Sequence, residues 1–195
     1  MSAHESMEHA EHAEHASGEN RKIALLIAVL ALFLAISETL GKGAQTESIS
    51  KNVEASNLWA FFQAKSIRRT VVQTAAEGAK LITTPDDATK AAVQKQIDDW
   101  QKTAARYRSE PETKEGTEQL AEKAKDAEHE RDEATAKYHH FELASAAFQI
   151  GIVLASATII TGMVALAYIS GLLTLAGLAM TILGAWWPHL LHLHG

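Results

Sequence analysis

Residues 143–187 read LASAAFQIGIVLASATIITGMVALAYISGLLTLAGLAMTILGAWW, forty-five positions without one charged side chain. A helix crosses the hydrocarbon core of a bilayer in about 20 residues, so the run is too long for one span and fits two joined by a tight turn. Gly162, Ser170 and Gly171 are its breakers and Tyr168 suits an interface, which places the turn between 162 and 171. Trp186, Trp187 and Pro188 close the second span as an aromatic belt would. Gly151, Ala155, Thr158 and Gly162 recur at steps of four, three and four, a small-residue stripe along which another helix can come close, and Gly177 and Gly184 repeat the pattern in the next span.

Towards the N-terminus a second apolar run, IALLIAVLALFLAISETL at residues 23–40, has Glu38 as its only charge. As a helix it is roughly 27 Å long, nearly the thickness of a bilayer core. Arg21 and Lys22 precede it, where cationic side chains snorkel to headgroups. A cleaved signal peptide fits less well, because the preceding tail is long and acidic and no A-x-A site follows. Under the positive-inside rule Arg21 and Lys22 favour a cytoplasmic N-terminus, which puts the middle region outside.

Between these blocks the chain is crowded with charge, and proline divides it. Thr84-Pro85-Asp86-Asp87 reads as an N-cap followed by proline at the first helical position, and Ser109-Glu110-Pro111-Glu112 has capping-box spacing. The expected helices are therefore about 45–82, 85–108 and 110–142. The apolar faces alternate steps of four and three, as in a coiled coil: Val93, Ile97, Trp100, Ala104 and Tyr107 in the second, and Leu120, Ala124, Ala127, Arg131, Ala134, Tyr138 and Phe141 in the third. The first helix offers a weaker seam through Ile49, Val53, Ala60, Ala64, Ile67 and Val71. The fold class expected is an all-α membrane protein: three transmembrane helices, with a long, coiled-coil-like extramembrane domain at 41–142 between the first and second. An acidic, His-rich tail at 1–22 is expected to be disordered, and a His-containing tail at 188–195 follows the last span.

The run Asn57-Leu58-Trp59-Ala60-Phe61-Phe62-Gln63-Ala64-Lys65-Ser66-Ile67-Arg68 resembles the signature stretch of a bacterial membrane-protein family known only as a domain of unknown function. The resemblance extends to the Glu-His-Ala tail, the first span and the paired C-terminal spans. It implies a bacterial inner membrane and the same three-span plan, and brings no activity, cofactor or catalytic residue.

Few residues suggest chemistry. With no cysteine, disulfides, thiolate metal sites and cysteine nucleophiles are excluded. A net charge of -6, with bases interleaved among acids, argues against nucleic acid as a partner. His9, His12 and His15 in the threefold Glu-His-Ala repeat are weak candidates for Zn²⁺ or Ni²⁺, whereas His4-Glu5-Ser6-Met7-Glu8 misses the H-E-x-x-H spacing of zinc proteases. Glu38 and Gln149 are intramembrane polar groups, the first expected to pair with Lys42 and the second to hydrogen-bond between helices. Trp59, Phe61, Phe62, Lys65 and Arg68 form an aromatic and basic run suited to an interface. No nucleophile, base and orienting group form a set and no phosphate loop is present, so the expectation is a noncatalytic membrane scaffold without a cofactor. Its expected partners are lipid, further copies of itself and another membrane or envelope protein. A subunit of an oligomeric channel or transporter is the alternative.

Overall fold

The computed structural model describes the backbone of residues 3–83 and 85–190 and the side chains of 18, 20–83 and 85–190. Four helices follow one another among the described residues: α1 (Ala3–Lys80), α2 (Asp87–Arg108), α3 (Thr117–Thr161) and α4 (Val164–Trp186). No strand occurs among the described residues. Three of the helices, α1, α3 and α4, are long and apolar enough to cross a membrane, the mark of a membrane protein. The chain packs as two compact units, one of α1 up to Glu47 with α3 from Glu133 and α4, the other Ser48–Asp132.

The first unit is a three-helix bundle. Leu30, Ala144 and Phe148 are wholly buried at its centre, and Leu26, Phe33, Leu34, Ile152, Leu178 and Met180 pack round them. Phe33 stacks on Phe148 at 5.9 Å between centroids. Lipid is as apolar as leucine, so close packing rather than escape from water has to hold such helices together. Small residues provide it: a Cβ at Gly177 would stand 2.7 Å from Cε1 of Phe148, and one at Gly184 would stand 2.8 Å from Cβ of His140. Gly151, Ala155 and Thr158 are buried along α3, as the small-residue stripe requires, while Gly162 is exposed beyond the helix end. Buried polar groups tie helix to helix. Ser170 Oγ donates to the Gly151 carbonyl at 2.8 Å and Ser37 Oγ to the Phe141 carbonyl at 3.1 Å.

In the second unit α2 and α3 bury the stripes that spacing predicts, with Ile97 and Ala104 buried on one and Leu120, Ala124 and Ala127 on the other. The first helix differs. Ala55, Lys65 and Ala76 are buried in α1, with Leu58, Phe62, Arg69 and Val72 half-buried between them, so its inward seam is a second series of three- and four-residue steps. The expected seam points outward: Ile49 is 59% exposed, Val53 52%, Ile67 65% and Val71 61%, and Ala60 and Ala64 are exposed too. Both faces of α1 carry coiled-coil spacing, and periodicity alone cannot tell which one the chain covers itself.

Several boundaries also move. The first span and the helix expected from about 45 are one helix, since α1 runs through Gly41 and Gly43. A glycine costs about 1 kcal/mol in a helix interior, too little to interrupt one flanked by strong helix formers. The tail from Ala3, expected to be disordered, is part of the same helix; its alanines and glutamates favour helix, and propagation from the apolar run needs no new nucleus. At α2 the N-cap is Asp86 rather than Thr84, its carboxylate accepting from the Ala88 and Thr89 amides.

The helix expected from 110 begins at Thr117. Ser109 is the C-cap of α2 instead of an N-cap, and Lys114, at φ 55°, turns the chain by donating its amide to the Glu110 carbonyl at 2.9 Å. Gln119 anchors the turn by accepting from the Glu110 amide and donating to Ser109 Oγ. The connection between the last two helices is Gly162-Met163, at the near edge of the expected window, and Gly162 has φ +70°, which glycine adopts without strain. Ser170 and Gly171, expected as breakers, lie inside α4.

Candidate functional site

In the second unit the aromatic and basic run divides by helix face. Trp59, Phe62 and Lys65 turn inward, and Phe61 and Arg68 stay exposed. Trp59 Nε1 donates to Glu128 Oε1 of α3 at 2.9 Å, and its ring meets Phe62 edge-on at 5.3 Å. Lys65 is only 6% exposed and reaches the α2–α3 connection, with Nζ 3.2 Å from Glu110 and 3.6 Å from Glu115. It also lies 5.5 Å from the Phe61 ring centroid. A lysine so enclosed needs such partners, since a buried unpaired ammonium is strongly disfavoured. The Lys65 hydrogen bond, ahead of Thr113, holds the Glu110 carboxyl below its usual range, and Arg108 does the same for Glu118. Lower down, Lys51 bridges Glu130 at 2.6 Å and Glu54 at 3.0 Å, and those two hydrogen bonds push its ammonium up. These groups clamp α1 to α3 and to the connection that precedes it. Lys65 and Glu110 are 45 residues apart with no shared motif, and nothing in the sequence pairs them.

In the first unit a groove of about 370 Å³ opens between α1 and α3, lined by Ser37, Glu38, Lys42, Tyr138, Glu142 and Gln149 among others. Glu38 accepts from Gln149 Nε2 at 3.4 Å, across 111 residues of sequence, rather than pairing with Lys42 four positions on. Both members are exposed on the outside of the three-helix unit. Tyr138 Oη donates to Glu142 at 3.2 Å, and the charge of that carboxylate pushes the phenol up. On the other side of α3, His140 is buried, with Nε2 3.1 Å from the Pro188 carbonyl and Nδ1 without a partner. Sequence reasoning missed His140, Ser37 and Ser170, whose interhelical bonds depend on which carbonyl each faces.

No group of three or more potential metal ligands comes together among the described residues. The side chains of His9, His12 and His15 lie outside them. Charged groups here form pairs within and between helices. Residues 19–187 match the family described as domain of unknown function DUF4337. The chain belongs to that family. The match takes in α1 from the start of the first apolar run, both proline-bounded connections and α4, so the DUF4337 domain comprises both units of the fold. Neither a curated protein nor a solved structure matches this DUF4337 chain.

Proposed function

We propose that the protein is a noncatalytic scaffold of the bacterial inner membrane, one that self-associates through its membrane helices and its helical domain. The observation that carries this reading is the Glu38–Gln149 pair, which faces out of the three-helix unit at the edge of an apolar span. Polar side chains at membrane depth normally face a bundle interior or water, because lipid offers them no hydrogen bond. A neighbouring protein supplies that cover, and another copy of the chain is always at hand in the same bilayer.

The groove supports a second reading. Its polar lining of Ser37, Glu38, Lys42 and Gln149 would face a water-filled path if several copies closed around it, as in a channel or transporter. Mass measurement of the purified protein in detergent tests the first reading, and a strictly monomeric particle would end it. Ion flux through reconstituted vesicles tests the second: conductance abolished by Glu38→Gln or Gln149→Leu would make the protein a channel.

For orientation, the basic pair Arg21 and Lys22 favours a cytoplasmic N-terminus and a periplasmic second unit. The chain has no cysteine, and Thr113 is exposed in the α2–α3 connection, so Thr113→Cys offers one labelling site. Labelling of intact spheroplasts by an impermeant maleimide is expected. Labelling only after lysis would invert the topology.

A further inference from the structure

The outward face of α1 in the second unit is a heptad stripe that the chain leaves uncovered. Val53, Ala60, Ile67 and Thr74 occupy one position of the repeat, with Leu81 following just past the helix end, and Ser50, Asn57, Ala64, Val71 and Gly78 occupy the other. Steps of four and three persist from Ser50 to Leu81, more than four heptads, while the opposite face of the helix is already packed against its own chain. Ile67 at 65% exposure, Val71 at 61% and Leu81 at 84% are open to solvent. Two shallow grooves cross the stripe, one between Val53, Asn57 and Phe61, the other between Ile67, Val71 and Thr74, each the kind of hole that a knob from a facing helix fills.

We infer that this stripe pairs in parallel with the same stripe of a second copy, and that Asn57 meets its counterpart across the seam and fixes the register. The inference rests on the self-associating reading and names its surface. Four observations select a second copy as the occupant. Sustained heptad spacing is the signature of a helix that pairs with another helix, whereas a lone amphipathic surface needs only a 3.6-residue period. Both copies enter the membrane through the preceding part of the same helix, which imposes a parallel arrangement. In that arrangement the few charges beside the seam meet no like charge: Glu54 falls opposite Ile49, Arg68 opposite Gln63 and Glu77 opposite Ile82. The length suffices as well. Ser50 to Leu81 spans roughly 48 Å as a helix and, at roughly 10 Å wide, contributes about 500 Å² per copy. The resulting total of about 1,000 Å² lies at the lower bound for a specific interface, and tethering in two dimensions supplements it. An asparagine at a core position of such a seam lowers affinity while specifying register and stoichiometry, because any other alignment buries it without a partner.

The test uses the full-length protein in membranes, with single cysteines at Ala60→Cys and Ile67→Cys on the stripe and at Gln96→Cys on the exposed face of α2. Mild oxidation should convert both stripe variants to disulfide-linked dimers and leave the α2 variant monomeric. Ile67→Glu, at a position too exposed to disturb the fold, should lose the association mediated by this domain. Asn57→Leu should hold the dimer more tightly and admit higher oligomers. If the wild type is oligomeric while the stripe cysteines do not crosslink and Ile67→Glu changes nothing, the stripe is not the interface and the scaffold reading survives. A wild type that is monomeric throughout overturns both. A monomer whose Ile67→Cys is shielded from a water-soluble maleimide by vesicles would assign the stripe to the lipid surface and equally overturn the inference.

Discussion

The ring of Phe148 lies against Gly177 so closely that a methyl group at 177 would stand 2.7 and 2.8 Å from two of its carbons. Phe148 is wholly buried and stacked on Phe33, so it cannot swing away. Gly177→Ala should therefore overpack the bundle and destabilise it by about 1–3 kcal/mol. Gly171, in the same helix, has nothing within 4 Å of an added Cβ, and Gly171→Ala should be neutral or slightly stabilising. Thermal unfolding of the two variants in detergent compares them directly, and equal midpoints would refute the contact.

Ser170 is fully buried, and its hydroxyl is the donor to Gly151 across the α3–α4 interface. Ser170→Ala keeps the close approach and deletes only the hydrogen bond. The expected loss is about 0.5–1.5 kcal/mol, the range found for such bonds in water and in membranes. Chemical unfolding in mixed micelles measures it.

Acid should loosen the second unit. Glu110 and Glu118 titrate below the usual glutamate range because Lys65 and Arg108 hydrogen-bond their carboxylates. A carboxyl with a depressed folded pKa takes up more protons when the chain unfolds, so its contribution is complete above the unfolded value of about 4.3. That contribution then disappears as the pH falls through the folded pKa. Glu110→Gln should lower stability at neutral pH and flatten the acid limb of the curve. Unfolding followed from pH 7 to pH 3 decides it, and an unchanged acid limb would mean that the Lys65 contact contributes nothing.

At the start of α2 the Asp86 carboxylate accepts from the Thr89 hydroxyl and amide and from the Ala88 amide, which lowers its pKa. Asp86→Ala should fray the first turn, raising hydrogen exchange at Ala88 and Thr89, and Asp86→Asn should restore most of the protection. Equal exchange in all three proteins would place the cap elsewhere.

What was legible in the sequence follows the physics of each segment. Charge-free length announced the three membrane-length helices, and alternating three- and four-residue steps located the buried faces of α2 and α3, where only one stripe is apolar. Along α1 the same rule failed, because the inward series of Ala55, Phe62, Lys65 and Ala76 mixes small, aromatic and cationic residues while the outward Ile49, Val53, Ile67 and Val71 look more like a core. Local capping signals misplaced two helix starts, since Asp86 and Ser109 take roles set by what lies beside them after folding. Glu38–Gln149 and Lys65–Glu110 join residues far apart in the chain, and a single sequence holds no record of such distances.

The turn at Gly162-Met163 bears on how the molecule is made. Joining α3 to α4 through two residues sacrifices little chain entropy, so the pair can zip together from its own sequence without waiting for α1. An antiparallel hairpin of this kind holds the Ser170–Gly151 bond within itself, leaving fewer bare polar atoms for lipid to meet. The α3–α4 pair thereby satisfies that hydroxyl without any contribution from α1.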